Sequence, residues 1–255
     1  LTELMAPIAG CYPEELAIMN ALTVNLHLML SSFYKPAGNR KKILCEAGAF
    51  PSDQYLLESQ VLLHGLEKDA IIEVKPAEGE VLIKEEDILT AIQNHKDEIA
   101  LVLFGGVNYY TGQAFDIRSI TAAAHEAGAI AGFDLAHAAG NIELKLHDWD
   151  VDFACWCNYK YLNAGPGAVA TAFIHKKFHH QPINRLAGWW GYRKDRRFLM
   201  EKGFVPGPSA DGWHISTPPI ILYAALKASL KIFNEAGIEQ LHRKGNAMSS
   251  YLIQL

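Results

Sequence analysis

Short apolar runs alternate along the chain with segments whose apolar residues recur at helical spacing. The spacing predicts strands at residues 42–46, 71–74, 99–104, 129–133, 151–157 and 168–174, and helices at residues 17–30, 51–64, 85–94, 116–127, 220–233 and 237–255. Strands that alternate with helices form a parallel sheet, and such a sheet needs both of its faces covered. The pattern therefore predicts an α/β fold of three layers, a mainly parallel sheet with helices on both faces. Residues 175–219, rich in Gly, Pro and Trp, are predicted to form long loops.

Several side chains follow the predicted strands at the point where each strand ends. Phe50, Gly105, Asp134 and Lys160 each come after one of them. In open α/β sheets, ligands bind beyond the carboxyl ends of the strands. We therefore expect these four residues to converge on one rim of the sheet.

The composition argues against several classes of protein. Half of the 255 residues are hydrophobic, which is enough for a sizeable core. The net charge is −5 without a long basic stripe, so no nucleic-acid partner is expected. No apolar run reaches the ~18–20 residues of a membrane span, so no membrane partner is expected either. Cys11, Cys45, Cys155 and Cys157 form no disulfide framework; buried thiols in a reducing cytoplasm are the favoured interpretation, and no metal site is expected.

Asp134 and Lys160 have the complementary chemistry that pyridoxal 5'-phosphate requires. A lysine amine forms a Schiff base with the aldehyde of this cofactor, and a carboxylate keeps its pyridinium nitrogen protonated. An Asp that ends one strand and a Lys that follows the next can face each other across a ring of that size. The alternatives are an Asp that caps a helix and a lysine on the surface.

The sequence around these two residues resembles kynureninase, a family of fold-type I pyridoxal-phosphate enzymes. The matching strings are FDLAHAAG at 133–140, LHDW at 146–149, DFACWCNYKYLN at 152–163, FPSD at 50–53 and VNYYTG at 107–112. The resemblance extends from about residue 17 to the end of the chain. It implies an aspartate-aminotransferase-like large domain at residues 1–235 and the start of a C-terminal small domain at residues 236–255. An N-terminal segment and most of the small domain would then lie outside this sequence.

The resemblance also implies an activity. Kynureninases hydrolyse L-kynurenine, 3-hydroxykynurenine or both to anthranilate or 3-hydroxyanthranilate and L-alanine, in tryptophan catabolism and NAD biosynthesis. The family further implies a homodimer with shared active sites and a cytoplasmic location. Lys160 would form the Schiff base and act as the base at the substrate's α-carbon, Asp134 would pair with the ring nitrogen, and Tyr159 would donate a proton.

The same resemblance implies a set of cofactor-binding residues. They are Leu22 and Thr23 at the phosphate, Phe50, Pro51, Ser52 and Asp53 beside the ring, Asp134, His137, Tyr159 and Lys160, and Trp189 and Thr217, which would reach the phosphate region from the neighbouring subunit. Two positions depart from the family. Gly105 stands where some members carry a hydroxyl residue, and Thr217 where some animal members carry an Asn that has been linked to substrate choice.

Three alternative functions have different sequence requirements. A cysteine desulfurase or selenocysteine lyase of the same fold needs a reactive cysteine after the lysine, and no Cys follows Cys157. A non-catalytic, cofactor-binding homologue would not need to keep Asp134, His137, Tyr159 and Lys160 together. A nicotinamide-binding protein would carry a GxGxxG turn after its first strand, and this chain has none.

Overall fold

The computed structural model describes residues 1–255 and contains one seven-stranded sheet. The strands are β1 (Leu16–Ile18), β2 (Lys42–Glu46), β3 (Ile71–Val74), β4 (Ile99–Gly105), β5 (Ile130–Asp134), β6 (Phe153–Cys157) and β7 (Ala170–Ile174). Their order across the sheet is β1-β7-β6-β5-β4-β2-β3. Five neighbouring strands in this order, β6, β5, β4, β2 and β3, pair in parallel, whereas β7 is antiparallel to both of its neighbours. The predicted mainly parallel sheet is confirmed.

Seven α-helices flank this sheet. They are α1 (Thr2–Ala9), α2 (Leu22–Phe33), α3 (Pro51–Leu63), α4 (Glu85–Asn94), α5 (Ile117–Glu126), α6 (Ile220–Ala236) and α7 (Ile238–Gln254). Side chains of β4 alternate between two cores: Val102 and Phe104 lie in one, and Leu101 and Leu103 lie in the other. Residues of α1, α4, α5 and α6 belong to the first core, and those of α2 and α3 to the second. Helices therefore cover both faces, as the sequence predicts.

The start of the predicted helix at residues 17–30 is wrong. Leu16–Ile18 is a strand that pairs with β7, and α2 begins only at Leu22. The backbone at Asn20 has a φ of 52°, in the left-handed region, and the chain changes direction there between the strand and the helix. The Asn25 side chain stabilises this turn because its Nδ2 donates to the carbonyl of Met19 at 2.9 Å. A three-residue strand is too short to show an alternating pattern, so its apolar residues merge with those of the helix.

The long segment between β7 and α6 contains only short 3₁₀ turns, in agreement with the predicted loops. Trp213 anchors it because its buried indole lies parallel to the ring of Phe33, with centroids 6.4 Å apart, and its Nε1 donates to the Ser32 hydroxyl at 3.1 Å. Farther along, α6 buries Leu226 and Leu230, whereas α7 buries none of its residues. No helix has both the length and the apolar character needed to cross a membrane.

Gly132 in β5 offers a direct test of how the central strands pack. It lies opposite Phe153 of β6, and a Cβ added at Gly132 would overlap the Phe153 ring. That ring is fully buried and stacks on Phe33 with centroids 5.1 Å apart, so it has little room to move. Gly132→Ala is expected to lower the free energy of unfolding by about 1–3 kcal/mol, the usual cost of overpacking. Urea denaturation would measure this change.

A glycine in α7 provides the control for this substitution. An added Cβ at Gly245 meets no atom within 4 Å, so Gly245→Ala is expected to be neutral or to stabilise the protein by up to about 1 kcal/mol. Equal denaturation midpoints for Gly132→Ala and the unmodified chain would contradict the close contact between β5 and β6.

Candidate active site

A cavity of about 450 Å³ opens at the carboxyl ends of β2, β4, β5 and β6. It is lined by Ala21, Leu22, Thr23, Glu46, Phe50, Ser52, Asp53, Gly105, Val107, Tyr109, Asp134, Ala136, His137, Tyr159 and Lys160. The carboxyl ends of parallel strands meet at one edge of a sheet, so residues far apart in sequence come together there. The four residues expected at this rim, Phe50, Gly105, Asp134 and Lys160, all line the cavity.

Two carboxyl groups, those of Asp134 and Asp53, share a hydrogen bond within the cavity. Asp134 ends β5, and its Oδ1 accepts from the backbone N–H of Ala136 at 2.7 Å. Asp53 lies in the first turn of α3. Burial, followed by the negative charge of Asp134, raises the pKa of Asp53 to about 9, and burial also raises the pKa of Asp134. Without a bound cation the pair therefore retains a proton at neutral pH.

Lys160 and His137 form a hydrogen-bonded pair in the same cavity. The Lys160 Nζ lies 2.9 Å from the His137 Nε2. Burial, followed by the positive charge of Lys160, lowers the pKa of His137, so its imidazole is neutral near pH 7. The lysine therefore donates to Nε2, and the ring proton resides on Nδ1, which faces the Tyr161 hydroxyl at 3.4 Å. The lysine Nζ also lies 5.7 Å from the centroid of the Phe50 ring.

The beginning of α2 contributes hydrogen-bond donors to the cavity. Leu22 and Thr23 are the first two residues of this 12-residue helix, and both line the cavity. The first N–H groups of a helix have no partner within the helix, and the helix dipole favours negative charge there. Together with the Thr23 hydroxyl, these amides can hold a phosphate group.

Tyr159 lines the cavity next to Lys160, with 48% of its surface exposed. Burial, followed by the nearby Cys157 thiol, raises the pKa of the Tyr159 hydroxyl. The hydroxyl is therefore protonated at neutral pH and can donate a proton.

Three of the predicted site residues lie outside the lining of this cavity. Pro51 is the first residue of α3, between the lining residues Phe50 and Ser52. Trp189 lies in the loop segment, where its ring packs edge-on against Phe198 with centroids 6.0 Å apart. Thr217 is exposed. The roles of Trp189 and Thr217 were predicted across a subunit boundary, and they stay predictions.

Glu46 and Tyr109 are lining residues that the sequence interpretation did not assign to the site. Glu46 ends β2 and is buried, and its Oε1 accepts from the Gly105 N–H at 3.0 Å. Tyr109 lies edge-on to Phe50, with centroids 5.2 Å apart and an interplanar angle of 89°. A charged residue at the end of an apolar parallel strand was the available signal for Glu46. A Cβ at Gly105 would lie 2.6 Å from the Glu46 Oε1, so a hydroxyl residue there would require the carboxylate to shift.

The fold and the site define the class of the protein: the chain belongs to the aminotransferase class-V family, whose model matches residues 61–255. Within that class it is similar to kynureninases. It is 57% identical over 251 residues to the kynureninase of Flavobacterium psychrophilum, covering 97% of this chain and 59% of that protein. It is 52% identical over 253 residues to the kynureninase of Rattus norvegicus, covering 99% and 54%. The resemblance indicated by the motifs is confirmed, and the chain spans less than two thirds of the length of these relatives.

Solved structures of lower sequence identity share the fold. A cysteine desulfurase from Thermococcus onnurineus has a TM-score of 0.77 and 19% identity, covering 95% of this chain and 57% of that one. An alanine–glyoxylate aminotransferase from Nostoc sp. has a TM-score of 0.71 and 18% identity, covering 98% and 62%. These likenesses concern the fold alone, and they agree with the predicted three-layer architecture.

Proposed function

We propose that this chain is the cofactor-binding part of a kynureninase, which hydrolyses L-kynurenine, 3-hydroxykynurenine or both. The products are anthranilate or 3-hydroxyanthranilate and L-alanine. One observation carries the proposal: a lysine and a buried carboxyl pair face the same cavity in a chain that is 57% identical to a protein named kynureninase. The pathway implied is tryptophan catabolism, which leads to NAD biosynthesis.

The residues around the cavity fit pyridoxal 5'-phosphate. Lys160 offers a primary amine, Asp134 a buried carboxyl group and Phe50 a flat ring, all lining one space. Thr23 and the first amides of α2 supply donors for a phosphate. When bound, the cofactor would supply an aldehyde for a primary amine and a protonated ring that withdraws electrons from the substrate's α-carbon.

Lys160 would perform two tasks in succession. Its Nζ would hold the aldehyde of the cofactor, and the same amine, when free, would take the proton from the substrate's α-carbon. His137 orients this amine because its neutral Nε2 accepts a hydrogen bond from Nζ at 2.9 Å. Asp134 would place its negative charge at the ring nitrogen, and the protonated Asp53 would hold the Asp134 carboxylate by their shared hydrogen bond.

Tyr159 would act in the cleavage of the carbon–carbon bond. Water adds to the γ-carbonyl of the substrate, the Cβ–Cγ bond breaks, and the β-carbon needs a proton before alanine can leave. The Tyr159 hydroxyl, which is protonated at neutral pH and lines the cavity beside Lys160, would supply that proton. The added water supplies the oxygen of the new carboxyl group on the aryl product, and its hydrogens balance the proton gained by the β-carbon of alanine.

Tyr159→Phe tests this assignment. It is expected to lower kcat by roughly 10²- to 10⁴-fold, the range for loss of a general acid. The absorbance of the lysine-bound cofactor is expected to stay unchanged because Lys160 and Asp134 remain. Tyr161→Phe is the matched control: it removes only the 3.4 Å contact with His137 and is expected to change kcat by no more than a few-fold. Full activity of Tyr159→Phe would exclude the tyrosine as the proton donor.

The reaction is tested by mixing a full-length protein that contains this chain with pyridoxal phosphate and kynurenine, and following anthranilate fluorescence. A desulfurase would instead release sulfide from cysteine, and the fold it shares with this chain makes that assay the necessary comparison. Fluorescence without sulfide supports the kynureninase. Sulfide without fluorescence would overturn it, and cofactor binding without either product would favour a non-catalytic homologue.

The assembly and location of the protein are also proposed here. A cytoplasmic location is supported by four free cysteines, three of them buried, as expected in a reducing compartment. A homodimer with shared sites is supported by Trp189, which is 44% exposed and lies outside the cavity lining. For the domains, α7 buries no residue whereas α6 does, which supports a large domain at 1–235 and a second domain that starts at 236, the last residue of α6.

A further inference from the structure

We propose that Glu46 is a positioning residue that fixes the loop after β4 as one wall of the cofactor cavity. The segment of residues 105–112, which comprises the last residue of β4 and this loop, is called the β4 loop below. The inference rests on the proposed function because it concerns the same cavity. It assigns a role to a buried carboxylate that binding of the cofactor ring or phosphate does not explain.

Glu46 joins the end of β2 to the β4 loop through both of its carboxylate oxygens. Oε1 accepts from the backbone N–H of Gly105 at 3.0 Å, and Oε2 accepts from the Nδ2 of Asn108 at 2.9 Å. Only 4% of Glu46 and 8% of Asn108 is exposed, so water cannot easily replace either bond. Burial raises the pKa of Glu46, and the bonds from Asn108 and Gly105 oppose that shift. Both oxygens act as acceptors, as in the ionised side chain, and hydrogen bonds to an ionised carboxylate are stronger than those between neutral groups.

The orientation of the Asn108 amide is determined by its other contacts. Its Oδ1 accepts from the backbone N–H groups of Tyr110 and Thr111, each at 3.0 Å, and from the Thr111 hydroxyl at 3.2 Å. A reversed amide would place its NH₂ group against these donors, so Nδ2 must face Glu46. The side chain at position 46 therefore has to present an acceptor to Gly105 and a second acceptor to Asn108.

The β4 loop connects this bond to the proposed cofactor contacts. Tyr109 follows Asn108 directly, and its ring supports Phe50 edge-on at 5.2 Å. Phe50 is the residue proposed to stack on the cofactor ring, and it lies 5.7 Å from the Lys160 Nζ. If the bond from Asn108 to Glu46 is lost, the wall formed by Tyr109 and Phe50 is no longer held in place.

An exchange of the two polar groups tests this inference. Glu46→Gln turns a new NH₂ group toward the NH₂ of Asn108 and breaks the bond. Asn108→Asp replaces the amide donor with a carboxyl group, so the pair can bond only by taking up a proton, and the bond present in the unmodified protein is lost at pH values where both groups are ionised. In the double variant the new amide at position 46 donates to the new carboxylate at position 108. The second oxygen of that carboxylate still accepts from Tyr110 and Thr111. The double variant thus restores the bond with reversed polarity and keeps the net charge.

Two measurements on the full-length protein report the loop without requiring turnover: amide hydrogen exchange of residues 105–112 and the dissociation constant for pyridoxal phosphate. Each single variant is expected to speed exchange and weaken cofactor binding by roughly tenfold or more, for one charge-assisted hydrogen bond lost. The double variant is expected to return both quantities to within about threefold of the unmodified protein. KM and kcat for kynurenine are then expected to recover together.

Glu73→Gln is the matched control because Glu73 is an exposed glutamate on the adjacent parallel strand β3. If Glu46→Gln does not fold, Asn108→Asp and the double variant still decide the question. Single variants that exchange and bind like the unmodified protein would overturn the inference. A double variant that regains slow exchange but not cofactor binding would also overturn it, because Glu46 would then act through its charge. Failure of kynurenine turnover alone would reject the proposed function and leave these two readouts intact.

Discussion

Lys160→Ala is expected to abolish the long-wavelength absorbance band that pyridoxal phosphate shows when it is bound to a lysine amine. It is also expected to reduce anthranilate formation by roughly 10³-fold or more, because we propose that this one side chain supplies both the covalent anchor and the base at the α-carbon. Lys160 is the only lysine that lines the cavity, so no neighbouring amine can replace it. Spectra and fluorescence assays of the full-length protein measure the two effects.

The control for Lys160→Ala is Lys231→Ala, which changes an exposed lysine on α6 and is expected to leave spectrum and activity unaltered. Added methylamine provides a second control, since a small primary amine can substitute for the missing base. Partial recovery of turnover with methylamine would attribute the loss to the amine itself. An unmodified protein that shows no band with added pyridoxal phosphate would reject the proposed cofactor.

Asp134→Asn is expected to lower kcat by roughly 10²- to 10⁴-fold while the lysine-bound cofactor still forms. An amide of the same shape can keep the 2.7 Å bond from the Ala136 N–H, but it carries no charge to keep the ring nitrogen protonated. Asp53→Asn is the informative comparison. With its pKa raised to about 9, Asp53 is neutral at pH 7 in the cofactor-free protein, so its replacement is expected to be the milder of the two. Equal losses in both variants would contradict this division of roles.

The same Asp134→Asn variant changes how stability depends on pH. The pKa of Asp53 is about 9 in the folded protein and about 4 in an unfolded chain, so the folded state holds the proton more tightly. The resulting contribution of Asp53 to the free energy of unfolding is fully present below about pH 4 and is lost as the pH rises toward 9. Asp134→Asn removes the charge repulsion but leaves the burial, so Tm of the cofactor-free protein is expected to fall less steeply between about pH 5 and 9.

Several residues of the site could be predicted from the sequence because they stand at the ends of strands. Asp134 and Lys160 could be brought together from the sequence because each follows a strand of a parallel sheet, whose carboxyl ends share one rim. His137 and Tyr159 were placed by the family strings around them, and both line the cavity. Their detailed contacts, such as the bond from Lys160 to His137, depend on side-chain directions that no spacing rule gives.

Other features could not be predicted because they depend on distant partners. β1 is recognisable as a strand only through its pairing with β7, since three apolar residues fit a helix equally well. Glu46 ends its strand like many surface glutamates, and its burial depends on Gly105 and Asn108 of another strand and its loop. The environment of Trp189 depends on the fold of the segment between β7 and α6, where apolar residues recur at neither helical nor strand spacing.

The pairing of β1 with β7 has a consequence for how the protein is made. Leu16 lies opposite Phe173, so β1 leaves the ribosome long before its only neighbour in the sheet. At about 5–20 residues per second, translation takes roughly 8 to 30 s to cover that interval. Ala21, Leu22 and Thr23 lie three to five residues beyond β1, so the sheet supports the chain just before them only after β7 has joined β6. The strand that is synthesised first is therefore the last to be paired in the sheet, and the cavity wall beyond it gains this support only after the chain has passed Asp134 and Lys160.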